Sequence, residues 1–192
     1  MAGPKNERTS SGGSATAEAV RRVVAPAVDA EGLFLESVSA TRAGARSVVR
    51  VTVDLPEDAV GSLGSDALDA VSRAISAALD ADDVVRGVYV LEVSTPGTSR
   101  PLTELRHFKR ARTRLVTLSL VDGGEAEGRL QDVVAGTDGD ELVLEDGGRF
   151  PVATVRQGRV EVELKRVDDA DLGDDDDDDD ADDAGDARTQ EG

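Results

Sequence analysis

The periodicity of the apolar residues changes near Arg114, and this change constrains the fold more than any other feature of the 192-residue chain. Before Arg114, stretches with apolar residues three and four apart alternate with stretches in which every second residue is apolar. After Arg114, only short strand-like stretches remain, separated by turns rich in glycine and aspartate. The sequence therefore predicts an α+β protein with an α/β half followed by an all-β half.

The first half predicts the element order helix, strand, strand, helix, strand. Its clearest element is a strand in which Val49, Val51 and Val53 face one way and polar residues face the other. Two helices on one face of a three-stranded sheet would bury all the apolar stripes of this half. The predicted elements are, in chain order, 15–30, 33–41, 47–54, 65–79 and 88–94.

Two local irregularities are predicted in this half. Pro26 should kink the first helix or limit its length, because proline lacks the backbone N–H that a helix interior needs. In the first strand the apolar set moves from Leu33 and Leu35 to Val38 and Ala40. A shift of this kind predicts a β-bulge between the two sets.

The second half predicts a small β-barrel. Five short strands within about 50 residues favour a barrel, although a three-stranded sheet with irregular edges fits the same pattern. The predicted strands are 114–120, 127–133, 141–144, 149–151 and 159–164.

Net charge divides the chain further. Asp168–Gly192 holds 14 acidic residues and one arginine, and so accounts for −13 of the net charge of −18. The sequence predicts disordered tails at 1–14 and 167–192, flanking an α/β domain (15–98), a basic linker (99–113) and a barrel domain (114–166). The acidic tail has two candidate roles, imitation of RNA and an aid to solubility, of which the second is slightly favoured.

Composition narrows the class of protein. The chain has no cysteine, which excludes disulfides and thiolate metal sites. Its beginning lacks the apolar core of a signal peptide, and no apolar run approaches the roughly 18 residues of a membrane span. A soluble cytoplasmic protein is expected, and the absence of an oligomerisation signal favours a monomer.

No catalytic, cofactor or metal site is predicted. His107 is expected to be an isolated surface histidine, and no serine lies in a nucleophile-elbow sequence. No glycine-rich phosphate loop is present. The run Asp174–Asp180 lacks the alternating ligands and turn glycine of a calcium loop. We therefore expect a binding protein and not an enzyme.

The segment between Ser99 and Arg114 is the most informative part of the chain. Glu104 is its only acidic residue, and Phe108 its only aromatic one, so base stacking is disfavoured. Arginine suits contact with phosphates, and recognition of folded RNA by shape and backbone remains open. The alternative is a short solvated helix that neutralises nearby acids. The candidate RNA-binding residues are the six basic residues Arg100, Arg106, Lys109, Arg110, Arg112 and Arg114.

The turn before this segment is expected to be structural. Pro96 and Gly97 suit a tight turn in which the glycine takes a positive φ. A hinge fixed in this way would set the angle at which the second half leaves the first. The predicted hinge residues are Ser94, Pro96, Gly97, Arg100 and Pro101.

The same stretch resembles the signature of a known family. Leu91–Leu102, LEVSTPGTSRPL, is similar to that of the bacterial ribosome maturation factors called RimP, with Ser99 where an acid is usual. Further similarity lies in the strand ending VTVD, in VSRAISAALD, in HFKRAR and in Glu127–Leu130. The resemblance covers about residues 16–166, with terminal additions like those of actinobacterial members.

The resemblance implies a function in assembly of the small (30S) ribosomal subunit. Family members bind the immature subunit, and they are linked to uptake of the twelfth small-subunit ribosomal protein near the central pseudoknot of 16S rRNA. It also implies an N-terminal α/β domain joined to a C-terminal SH3-like barrel.

A hypothesis that joins both lines of reasoning divides the work by charge. The basic segment would bind rRNA, and the second half, with 11 acids against four arginines in Leu115–Leu164, would hold a basic ribosomal protein. Reversing Arg106, Lys109 and Arg110 to glutamate should then abolish subunit association and leave the fold intact. The main alternative is a generic RNA-binding or chaperone module with an Sm-like barrel, and an enzyme is a distant third.

Overall fold

The computed structural model describes residues 8–44, 46–137 and 139–163. Within these residues the chain is α+β, as predicted, with three α-helices and two β-sheets. No helix in the described part is long and apolar enough to span a membrane. The elements are α1 (Arg8–Ala30), β1 (Phe34–Ala43), β2 (Arg46–Asp54), α2 (Ser65–Asp82), β3 (Tyr89–Ser94), α3 (Leu105–Arg110), β4 (Leu115–Leu120), β5 (Glu125–Gly136), β6 (Gly139–Leu144), β7 (Arg149–Pro151), a 3₁₀ turn (Val152–Thr154) and β8 (Val155–Val160).

The first sheet has the strand order β1-β2-β3. Strands β1 and β2 are antiparallel, whereas β3 runs parallel to β2, because α2 carries the chain back before β3 begins. One side of β2 packs with both long helices, since their buried residues belong to a single core. That core contains Val20, Val24, Val28, Val49, Val51, Val53, Val71, Ile75, Leu79 and Val85.

The bulge predicted in β1 is confirmed. The pairing register with β2 shifts between Leu35 and Ser37, which leaves Glu36 as the inserted residue. A bulge re-aims the side chain of the residue that it inserts. This carboxylate becomes important below.

Helix α1 begins earlier than predicted and ends at the predicted residue. It begins at Arg8, not at Ala15, so the predicted disorder of 1–14 is wrong from Arg8 onward, and residues 1–7 lie outside the described residues. The helix also continues through Pro26 to Ala30. Burial of Val24 and Val28 on either side of the proline holds this last turn in the helix, and an established helix extends at little cost per residue.

The second sheet has the strand order β7-β6-β5-β4-β8, and all its neighbours are antiparallel. It has a separate core, in which Leu118, Leu130 and Leu142 are fully buried. In the described residues the outer strands β7 and β8 do not pair with each other, so the sheet is open. The predicted SH3-like barrel is therefore not confirmed.

The last strand lies earlier in the chain than predicted. The sequence placed it at 159–164, but β8 is Val155–Val160. Gly158 sets the register: it pairs with Leu118 in the sheet, and its backbone exchanges two hydrogen bonds of 2.7 Å with that of Leu102. Val162 is consequently 66% exposed, and Leu164 lies outside the described residues.

The segment 99–113, predicted to be a linker, contains helix α3 packed between the sheets. Phe108 is buried in the second core, while Arg106 of the same helix contacts residues of the first sheet. Both sheets belong to one compact unit that ends at Val162. The predicted acidic tail, 167–192, lies outside the described residues.

Candidate nucleic-acid interface

Helix α3 is held at its start by His107. The backbone N–H groups of Thr103 and Glu104 both donate to His107 Nδ1, at 3.2 and 3.3 Å. Because Nδ1 accepts, the neutral imidazole carries its hydrogen on Nε2, which donates to Glu36 Oε1 at 3.0 Å. The histidine is only 7% exposed. The prediction of an isolated surface histidine is therefore wrong, because its partner Glu36 is distant in sequence.

Glu36 joins the bulge of β1 to three basic side chains. Besides His107, it lies 2.6 Å from Arg100 Nη1 and accepts from Arg106 Nε at 3.3 Å. The carboxylate side chain is 12% exposed. Burial with several hydrogen-bonding partners makes this a structural contact, since an unpaired carboxylate at such a site would be costly.

Asp54 plays the same part at the end of β2. It lies on the face of the sheet opposite to the buried Val53, in register with Phe34 of β1. Arg110 Nη2 donates to its Oδ1 at 2.9 Å. Arg106 Nη2 lies 3.7 Å from Oδ2, and the Arg106 guanidinium lies 3.6 Å from the centre of the Phe34 ring. Helix α3 thus packs on the end of the sheet face that α1 and α2 leave open.

We call six of these side chains the ionic cluster: Glu36, Asp54, Arg100, Arg106, His107 and Arg110. Five of them have side chains between 6% and 12% exposed, and the sixth, Arg100, is 23% exposed. Arg110 also donates to the carbonyl groups of Ala59 and Gly61 in the loop before α2.

The other three basic residues form looser contacts at the surface. Lys109 Nζ donates to Glu57 Oε1 at 2.8 Å; this hydrogen bond lowers the pKa of Glu57 and raises the pKa of Lys109. Arg112 donates to the carbonyl of Asp58 at 2.8 Å and lies 3.7 Å from Asp132 Oδ1. Arg114 Nη2 donates to Ser62 Oγ at 3.1 Å and, within the described residues, forms no ion pair.

A cleft of about 240 Å³ opens between α3, the loop before α2 and the loop after β3. Arg100, Arg110 and Arg114 all line it, and Asp54 is its one acidic lining residue among those described. Apolar contributions come from Leu63, Leu102, Pro96, Ala111 and Val160. The cleft therefore brings together three of the six basic residues predicted from sequence.

Of the predicted hinge residues, Ser94 ends β3, and Pro96, Gly97 and Arg100 line the cleft. The backbone N–H of Arg100 donates to the carbonyl of Gly97 at 3.1 Å, which closes a turn. Gly97 does not have a positive φ, so the expectation that the turn needs glycine for its backbone conformation is wrong. Ser94, Gly97 and Pro101 are exposed, whereas Pro96 is half-buried.

Sequence reasoning missed the acidic partners. Glu36 pairs with Arg100, and Asp54 pairs with Arg110. Glu57 pairs with Lys109, and Asp132 lies near Arg112. Asp54 could have been found, because it ends a strand on the polar side of a clear alternation. For Glu36 the only sequence signal was indirect, because it lies within the predicted bulge. The run Asp174–Asp180 lies outside the described residues.

Comparison with known proteins agrees with the resemblance found in the sequence. Residues 23–99 match the RimP N-terminal domain. The chain is 39% identical over 187 residues to the protein named ribosome maturation factor RimP of Parafrankia sp. (strain EAN1pec). That alignment covers 83% of this chain and 57% of the length of the relative.

Proposed function

The chain carries the N-terminal domain of the RimP family, and on this premise we propose that it is a ribosome maturation factor that binds the immature small (30S) subunit in the cytoplasm. The observation that carries the proposal is the match of residues 23–99, extended by 39% identity to a protein named ribosome maturation factor RimP. The proposed partners are 16S rRNA and the twelfth small-subunit ribosomal protein, and the proposed active form is a monomer.

The distribution of charge supports two separate contact surfaces. Basic residues concentrate on α3 and its flanking loops, whereas Leu115–Leu164 carries 11 acids against four arginines. Some of those acids pair locally, as Glu161 does with Arg159 and Glu141 with Arg149. Glu125 and Glu127 are exposed on β5 without an ion pair to any described residue. Such a surface suits a basic ribosomal protein.

The six basic residues divide into two groups by their contacts. Arg106 and Arg110 are buried against Glu36 and Asp54, and their role in this proposal is to fix α3. Lys109 and Arg112 form half-exposed pairs that rRNA phosphates can replace, because surface pairs of this kind contribute little stability. Arg100 and Arg114 line the cleft; Arg100 also pairs with Glu36, at 2.6 Å, but is the most exposed member of the ionic cluster. We propose that these last four contact the RNA backbone.

The second sheet is proposed to be a variant of the SH3-like barrel. The support is its five antiparallel strands, the register shift of β5 between Leu130 and Asp132, and the 3₁₀ turn before the last strand. A bent long strand that serves two parts of one sheet is the usual way in which small barrels curve.

Sedimentation tests the function directly. In a sucrose gradient of a lysate, the protein should travel with immature small subunits and be absent from 70S ribosomes and polysomes. Deletion of its gene should cause precursor 16S rRNA to accumulate and mature small subunits to fall. A normal ribosome profile after deletion, with binding to unrelated RNAs of equal strength, would instead support a general RNA chaperone.

A further inference from the structure

We propose that the cleft between α3 and the loop after β3 is a binding site for a phosphodiester group of RNA. The inference rests on the proposed function and names the atoms that would serve it. Its principal donors are Arg114, Arg100 and the backbone N–H groups of Gly97 and Thr98.

The first argument is the balance of charge inside the cleft. Three arginines line it: Arg110 pairs with Asp54, which also lines the cleft, and Arg100 pairs with Glu36, which does not. The uncompensated charge of the lining is therefore that of Arg114. Arg114 lacks an acidic partner among the described residues and is held in place by Ser62. Basic side chains in a concave site with apolar walls focus a positive potential that attracts anions.

The second argument comes from the backbone of the loop. The N–H groups of Gly97 and Thr98 donate no hydrogen bond to any described residue, although both residues line the cleft. Backbone N–H groups beside arginine side chains are a common way to hold a phosphate. The volume of about 240 Å³ is below the roughly 300 Å³ at which cofactor pockets begin, which favours a single phosphodiester over a nucleotide cofactor.

The third argument is that Gly97 has no evident structural need to be glycine. Its φ is not positive, and a Cβ placed on it would meet only Ser99 Oγ, at 3.9 Å. Glycine at an exposed position of this kind allows a ligand to approach the backbone closely. The loop therefore fits a contact role as well as its role as a turn.

The test compares two matched arginine variants of the full-length protein. The probe is a fluorescein-labelled, ten-nucleotide single-stranded RNA, measured by anisotropy over a range of KCl concentrations. Arg114→Gln should weaken binding roughly tenfold and reduce the slope of log Kd against log salt by about 0.7. Arg73→Gln removes the same charge from an exposed position on α2 outside the cleft, and should change Kd less than twofold. Equal effects of the two variants, or no binding by the unmodified protein, would overturn the proposal.

Inorganic phosphate provides a second probe that does not depend on the RNA sequence. At constant ionic strength, replacing chloride by phosphate should shift the ¹⁵N–¹H signals of Gly97 and Thr98 and the Nε–H signal of Arg114. Gly97→Ala should reduce these shifts and leave the melting temperature unchanged. Shifts confined to other parts of the chain would contradict the site.

The outcome can be separated from that of the proposed function. If the protein sediments with immature subunits and Arg114→Gln binds RNA normally, the cleft proposal fails and the function stands. If the cleft binds RNA as described but the protein never sediments with subunits, the function fails and the cleft stands.

Discussion

Asp54 and Glu36 decide how the basic segment of this chain packs. Each is nearly buried and serves at least two basic groups of the ionic cluster. Removing one partner of a buried ion pair strongly destabilises the folded protein, because the other charge stays buried without compensation. At the scale of single residues, the acids in the strands therefore determine which arginines stay at the surface.

Asp54→Asn should lower the free energy of unfolding by about 3 kcal/mol, because Arg106 and Arg110 would remain buried with too little compensating charge. Chemical denaturation measures this change. The matched control is Asp58→Asn, an exposed acid four residues further along, whose backbone carbonyl and not its side chain accepts from Arg112. The control should change stability by no more than about 0.5 kcal/mol, and an equal effect of the two variants would contradict the structural role of Asp54.

Glu57 should titrate below its ordinary pKa of 4.5, because Lys109 donates a hydrogen bond to its charged form. A carboxyl whose pKa is lowered by folding contributes stability above its unfolded pKa and loses it as the pH falls through the folded pKa. Carbon-detected NMR of Glu57 during an acid titration measures this pKa. Lys109→Met should return it towards 4.5, and an unchanged pKa in that variant would show that the hydrogen bond does not persist in solution.

Helix α3 is the element that joins the two halves of the compact unit. Its six residues would not form a stable helix alone, because a helix so short cannot recover its nucleation cost. The helix is stable because Phe108 enters the second core while Arg106 and Arg110 reach the first sheet. At this scale, a basic sequence that would suit a solvated linker becomes a packed element.

Reversing Arg106, Lys109 and Arg110 to glutamate should therefore destabilise the fold, contrary to the expectation from sequence that it would spare the fold. Three new carboxylates would face Glu36, Asp54 and Glu57. Thermal melting followed by circular dichroism should show a lower and broader transition than that of the unmodified protein. A melting curve identical to that of the unmodified protein would mean that the ionic cluster is not formed in solution.

Gly158→Ala should also destabilise α3. A Cβ at this position would lie 2.9 Å from Phe108 Cε1, closer than such atoms approach, and in tight contact, at 3.2 Å, with Leu118 Cδ2. Overpacking of this kind costs roughly 1–3 kcal/mol. Denaturation experiments measure the loss, and Gly97→Ala, which meets only Ser99 Oγ, is the control. An unchanged stability would mean that Phe108 is free to repack.

At the scale of the whole molecule, most of the charge lies outside the compact unit. Asp168–Gly192 carries −13 of the net −18, so the rest of the chain is only mildly acidic. A basic surface around α3 can attract RNA only if this acidic segment does not repel or occupy it. Charges separated by more than about 10 Å are screened at 0.1 M salt, which gives the tail an effect that depends on ionic strength.

Truncation after Val167 should accelerate association with RNA at low salt, because it removes a net charge of −13. Stopped-flow anisotropy with the ten-nucleotide RNA, at KCl concentrations from about 0.05 to 0.5 M, measures this rate. The difference between the truncated and full-length proteins should vanish at high salt. A tail that serves solubility alone would give equal association rates at every salt concentration.

Local patterns were sufficient for the elements of the first half. The alternation of Val49, Val51 and Val53 predicted β2, and the displaced apolar set of β1 predicted its bulge, because side-chain periodicity is a property of the local chain. The start of α1 and the position of β8 were not predicted in this way. The position of β8 depends on a glycine that fits against Phe108.

The sequence alone determined the α+β class, the order of elements in the first half, the family resemblance and the existence of a basic segment. Only the tertiary structure decided what that segment does. Glu36 lies 70 residues before Arg106, and Asp54 lies 56 residues before Arg110. Ion pairs across such separations depend on how the sheets and α3 pack. No local pattern could therefore show that Arg106 and Arg110 are buried against acidic partners, whereas Arg114 lines an open cleft.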